Sequence, residues 1–180
     1  MIDDPRWTDA ELAILRARAE AVARREAAPP ADREPAIFFR VGRQRCCAPA
    51  RGVRSAIRLD GLVPIPHGGR TVAGAILRGG DVVPVFHLAA VLGERLTRLP
   101  ETAHALLLGT TSDEVGVTVD AIDRFGELVG GTLREPPEEA RSRFVTGATP
   151  DGELVVDLVA LGASDVLFVD LEPTRTADRT

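Results

Sequence analysis

The spacing of hydrophobic positions changes near residue 35. Before it, Leu12, Leu15, Ala19 and Val22 fall on one face at helical spacing, with Trp7 and Ile14 near its edge. Thr8 followed by Glu11 gives a capping-box spacing, and Arg16, Glu20 and Arg24 stand four apart. Pro29 and Pro30 end the run, which predicts a helix followed by a linker, APPADREP, over residues 28–35.

Beyond residue 35 the period is two. Ile37, Phe39 and Val41 alternate with Phe38 and Arg40, Gly42-Arg43-Gln44 turns the chain, and residues 45–48 return. Val53 and Ile57 stand four apart, which predicts a short helix or turn over 50–58. Prolines 64 and 66 make 59–66 an edge or an arm. VAGAILRGGDVVPVFHL reads as two apolar strands about a Gly79-Gly80 turn, with Pro84 requiring an edge or a bulge. Residues 88–92 form a helical turn ended by Gly93.

After a polar loop at 94–103, strands are expected at 105–109 and 115–122, then a break at Asp123 and Arg124 and a third segment over 125–129. A charged loop precedes a further hairpin, RFVTGATPDGELVVDL, turned at Pro150-Asp151-Gly152. A helical turn at 158–163, a last strand DVLFVD and a polar tail complete the pattern. Nine or ten short strands with little helix predict barrel or sandwich packing. VVPVFHLAAVLG and LVVDLVALGA echo each other, an apolar strand running into a short Leu-bearing helix, and so suggest two related half-units.

Composition narrows the chemistry. All 22 Lys-plus-Arg positions are Arg, so no lysine is present for a Schiff base or a phosphate loop. The net charge of -5 without a basic block argues against a nucleic-acid partner. No leader pattern opens the chain and no apolar run approaches bilayer length, so a soluble cytoplasmic protein without direct membrane insertion is expected. Cys46 and Cys47 are adjacent, point to opposite faces of a strand and suit burial better than a disulfide framework.

His67, His87 and His104 are scattered, without zinc-site spacing. No serine sits in a nucleophile elbow. Asp120 and Asp157 end apolar strands, where they either cap turns or form a carboxylate pair. The expectation is no enzyme, no catalytic residue, no cofactor and no metal. A small β-barrel sensor or ligand-binding protein remains an alternative, although the aromatic share of 4% gives little pocket lining.

VAGAILRGGDVVPVFHLAAVLG (72–93) resembles the signature region of the CheW-like domain family, in which an Asn-Leu-Arg-Gly turn leads into a Pro-Val-Ile-Asp-Leu strand and a short helix. FRVGRQRCCAPARGVRSAIRLDGLVPIP resembles that family's opening, Val115-Gly116-Val117-Thr118-Val119-Asp120 its Val-Gly-x-x-Val-Asp segment, and RFVTGATPDGELVVDLVAL its closing hairpin. The resemblance spans about residues 36–170. Aligned without a gap, the family's turn falls on Leu77, Arg78, Gly79 and Gly80, so the arginine is one residue early, and His87 replaces the family's Asp.

The resemblance implies a mainly β fold of two small SH3-like five-stranded barrels sharing an apolar core, with an added amino-terminal helix. It divides the chain into an arm (1–35), a CheW-like domain (36–170) and a tail (171–180). It implies a non-catalytic adaptor between a chemoreceptor cytoplasmic tip and a histidine kinase regulatory domain, at membrane-associated receptor arrays. A divergent paralogue, acting as an auxiliary scaffold or competitor for another partner, is the alternative. The protein-binding residues expected are Val72, Gly74, Arg78, Gly80, Asp81 and Val83 on the signature hairpin.

Overall fold

A computed structural model describes residues 33–66, 69–109 and 113–167. The expected amino-terminal helix and the polar tail lie outside the described residues, as does the second half of the expected last strand, whose first half, Asp165–Leu167, forms a turn of 3-10 helix instead.

Among the described residues, ten strands make two five-stranded sheets. In chain order they are β1 (Arg33–Val41), β2 (Gln44–Pro49), β3 (Ser55–Arg58), β4 (Val72–Arg78), β5 (Asp81–His87), β6 (His104–Leu108), β7 (Val115–Val119), β8 (Ala121–Val129), β9 (Val145–Ala148) and β10 (Leu154–Val156). Two short helices, α1 (Leu88–Val91) and α2 (Leu158–Gly162), follow β5 and β10. The first sheet has the order β8-β1-β2-β10-β9 and the second β3-β6-β7-β5-β4. Each is antiparallel except at one seam, where β10 runs parallel to β2 and β5 runs parallel to β7.

Shifting each strand number of one sheet by five, up for β1 and β2 and down for β8, β9 and β10, gives its counterpart in the other, so the echo seen in sequence is an internal repeat of topology. Each half supplies two strands to one sheet and three to the other. Apart from one isolated bridge in each half, pairing within a half is confined to the hairpins β1–β2, β4–β5, β6–β7 and β9–β10. The contacts β1–β8, β2–β10, β3–β6 and β5–β7 all join one half to the other.

The expectation of two closed barrels is overturned: the sheets are mixed and open. Their outermost strands do not bond to each other. A single reciprocal bridge in the loop after one edge strand reaches the opposite edge, Arg134 to Ala148 in the first sheet and Val63 to Ala75 in the second. Prolines follow both bridges, at 64 and 66 and at 136 and 137, and deny the ladder the donors it needs to continue.

The core lies between the sheets. Ile37, Phe39, Cys46 and Val156 from the first face Phe86, Leu106, Val117 and Val119 from the second, with Leu88, Leu158 and Leu161 of the helices in the same cluster. Each large side chain so buried contributes about 1.5–3 kcal/mol. The outer faces carry smaller clusters, Phe38, Cys47 and Val155 on one sheet and Ile76, Val83 and Leu107 on the other. Cys46 and Cys47 thus enter different clusters, as strand alternation requires, and both are free.

Two local expectations are corrected. Residues 55–58 form a strand, β3, because each pairs with β6, and only Ala50–Gly52 is a helical turn. The irregularity expected at Asp123 and Arg124 is a register shift in the β1–β8 ladder that skips Asp123 without ending the strand; the strand boundary falls at Asp120, whose carboxylate accepts the Gly42 amide at 2.7 Å. β8 is an edge strand and tolerates the two charges, with Arg40 pairing Asp123 at 3.0 Å.

Candidate partner-binding surface

The β4–β5 hairpin turns on Gly79 and Gly80, both with positive φ (60° and 97°), the backbone that a two-residue hairpin turn of matching twist demands. Cross-strand pairs then alternate between faces: Ile76 with Val83, Leu77 with Val82, Arg78 with Asp81. Ile76 and Val83 turn inward. Leu77 and Val82 turn to the other side and are 76% and 71% exposed. Ala75 and Pro84 extend that face, and exposed Val63 flanks it through its bridge to Ala75.

The six residues singled out from sequence are divided by the same alternation. Arg78 is half-buried, while Gly80 and Asp81 are exposed at the turn. Val83 is buried in the outer cluster of the second sheet, and Val72 is partly buried against the central core. Gly74 is buried, and a Cβ there would stand 2.4 Å from the Val63 carbonyl oxygen, so glycine lets the arm approach the strand.

Two residues that the sequence reading did not single out complete the surface. Glu114, just before β7, has a side chain only 8% exposed and receives both of its oxygens' bonds from Arg78 Nη1, each at 2.8 Å. Arg54, just before β3, stands 3.5 Å from the same carboxylate. Arg54, Arg78 and Glu114, with Gly79, Asp81 and Val83, line an open recess of ≈ 670 Å³ between the hairpin and the start of β7. No local signal marks Arg54 or Glu114, because strand pairing over long sequence separations brings them to Arg78.

A second Arg–Glu–Arg cluster lies on the first sheet. Glu153, 4% exposed, meets Arg45 at 2.5 Å and Arg124 at 3.2 Å. The Thr149 hydroxyl donates to its carboxylate and accepts from the Glu153 amide. Arg124 also lies 3.3 Å over the Phe38 ring. Burial by itself raises the Glu153 pKa, but the Thr149 hydrogen bond and the two guanidinium groups outweigh it, and the net shift is downward.

The remaining titratable groups fit structural roles. Burial pushes both thiols up to about 12, which keeps them protonated and poor nucleophiles. Burial also lowers the pKa of His87, at the junction of β5 and α1. Asp157 caps α2 by accepting the Ala160 amide at 2.9 Å. No group of three His, Cys, Asp or Glu suited to a metal occurs among the described residues. Among those residues no helix is long and apolar enough to cross a membrane.

Comparison with known proteins agrees with this architecture. The model of the CheW-like domain matches residues 35–164. A probable chemotaxis protein CheW of Rhizobium etli is 28% identical over 145 residues, 78% of this chain and 90% of the relative. The chemotaxis protein CheW of Rhizobium meliloti is 32% identical over 105 residues, 58% of this chain and 67% of the relative. The crystal structure of the scaffolding protein TtCheW from Thermoanaerobacter tengcongensis superposes with a TM-score of 0.60 at 17% identity, covering 69% of this chain and 88% of that one.

Proposed function

This chain belongs to the CheW-like domain family, and we propose that within it the protein couples a chemoreceptor cytoplasmic tip to the regulatory domain of a histidine kinase. Membership makes it a non-catalytic scaffold of chemotaxis signalling. The finer reading assigns residues 36–170 as the working unit, in the cytoplasm at receptor arrays, with the β4–β5 hairpin as a partner-binding element.

The observation that carries this reading is the exposed pair Leu77–Val82, continued by Ala75, Pro84 and Val63. An apolar face of this kind on a rigid hairpin favours burial against another protein. Coupling needs such a surface and no reacting group. Arg78, Gly80 and Asp81 border the pair at the turn, and Val72, Gly74 and Val83 hold the hairpin in place beneath it.

The test is a binding assay of the full chain with a receptor tip and a kinase regulatory domain from the same cell, separately and together. A ternary complex is expected, and the double substitution L77D/V82D should weaken tip binding at least tenfold without lowering the melting temperature. Binding to the kinase domain alone would replace this reading with that of a competitor or auxiliary scaffold. Binding to neither would overturn it.

A further inference from the structure

We propose that Arg54 and Arg78 form a two-guanidinium clamp that takes a carboxylate side chain of the partner protein, with Glu114 holding the two cations side by side. The proposal rests on the coupling reading above and adds the chemistry of one contact and a residue, Arg54, that the hairpin alone does not contain.

Two like charges brought together at a surface repel unless a counter-charge sits between them. Glu114 is that counter-charge, but it is not shared equally. Arg78 takes both carboxylate oxygens at 2.8 Å, whereas Arg54 approaches no nearer than 3.5 Å, outside good hydrogen-bond distance. The Arg54 side chain makes no hydrogen bond to any described residue. A guanidinium carries five donors in a planar fork suited to a carboxylate. The trio therefore presents one surplus positive charge and unused donors, both directed at the recess.

The recess has the form such a contact needs. Buried Val83 supplies an apolar floor. The mouth is kept clear by Gly79 and Gly80, where an added Cβ would meet nothing within 4 Å. Asp81, on the same rim, makes no ion pair among the described residues and gives the site a polarity. An incoming acid is drawn to the arginines and away from Asp81, and a base beside that acid is favoured. A partner helix carrying an acid and a base one turn apart satisfies both ends.

Full-length protein labelled with ¹⁵N should be titrated with a capped tetraglutamate peptide while the arginine Nε–H resonances are followed, with capped tetraglutamine as the neutral control. Saturable shifts of Arg54 and Arg78 with the glutamate peptide alone are expected, and R54Q should abolish them while its amide spectrum stays folded. Shifts absent in the native chain, or unchanged in R54Q, overturn the clamp. In parallel, R54E should weaken binding to the receptor tip at least tenfold at low salt, with the difference shrinking as salt is raised.

Failure of the native chain to bind the tip, with the peptide shifts intact, removes the coupling reading and leaves the clamp. Tip binding that ignores R54E, with no peptide shift, does the reverse.

Discussion

Each sheet carries one carboxylate between two arginines, yet the two clusters are completed differently. On the first sheet Glu153 is fully engaged: Arg45 and Arg124 both reach it, Thr149 donates a hydroxyl, and Arg124 lies against Phe38. On the second sheet Glu114 has no hydroxyl donor, Arg54 stands off, and no aromatic ring covers either cation among the described residues. The recess beside the first cluster is ≈ 220 Å³ and the one beside the second ≈ 670 Å³. The same trio of charges serves as an internal fastening where the chain satisfies it and as a surface for recognition where it does not.

Substitutions test that contrast. Glu153→Ala should have the largest effect on folding, about 2 kcal/mol, since it strips the Thr149 hydroxyl and two guanidinium groups of their acceptor. Urea denaturation measures it, and a loss no greater than that of Glu114→Ala would erase the distinction. Next, Arg124→Ala should cost about 1 kcal/mol through its ion pair and its stacking on Phe38. Arg54→Ala should stay within about 0.5 kcal/mol on stability, its effect falling on binding.

The smallest effect is one of pH. The folded pKa of Glu153 lies below its ordinary 4.5. Its contribution to stability is therefore complete above that value and is lost as the pH falls through the folded pKa. Unfolding free energies of the native chain and E153Q should differ at neutral pH and converge in acid. Parallel curves would show that the carboxylate's charge is not what fastens the first sheet.

Much of the fold was legible in the sequence where the signal was local. The hairpins at Gly42, at Gly79-Gly80 and at Pro150-Asp151-Gly152 follow from alternation and turn chemistry, as does the split of Cys46 and Cys47 between faces. β3 was misread because Val53 and Ile57 stand four apart, and a strand of four residues offers no longer pattern against which to weigh that spacing.

Barrel closure was misread for another reason. A period of two says which residues share a face and nothing about whether two edges meet. The prolines after Val63 and Arg134 decide that, and in the sequence the first pair marks only an edge or an arm and the second only a loop. Of the candidate site, Arg78 was legible because it stands alone beside a glycine turn. Leu77 and Val82 stood only as members of two apolar strands, and alternation alone could not say which face of the hairpin the rest of the protein would cover. Arg54 and Glu114 were invisible, since each gains its meaning from strand partners far away in the chain.

The exchange of strands between halves has a consequence for how such a chain can be divided. Cut within residues 92–103, it would yield two fragments in which, among the described residues, the only strand ladders left are hairpins, which are marginal in water. Every pairing that joins a hairpin into a sheet belongs to the other fragment. Each piece is thus the other's template, and the pair should fold only on meeting, in the manner of a split reporter. A single half would have to find the strands it lacks in a second copy of itself or in the other half, so the unit of folding is the pair rather than the half.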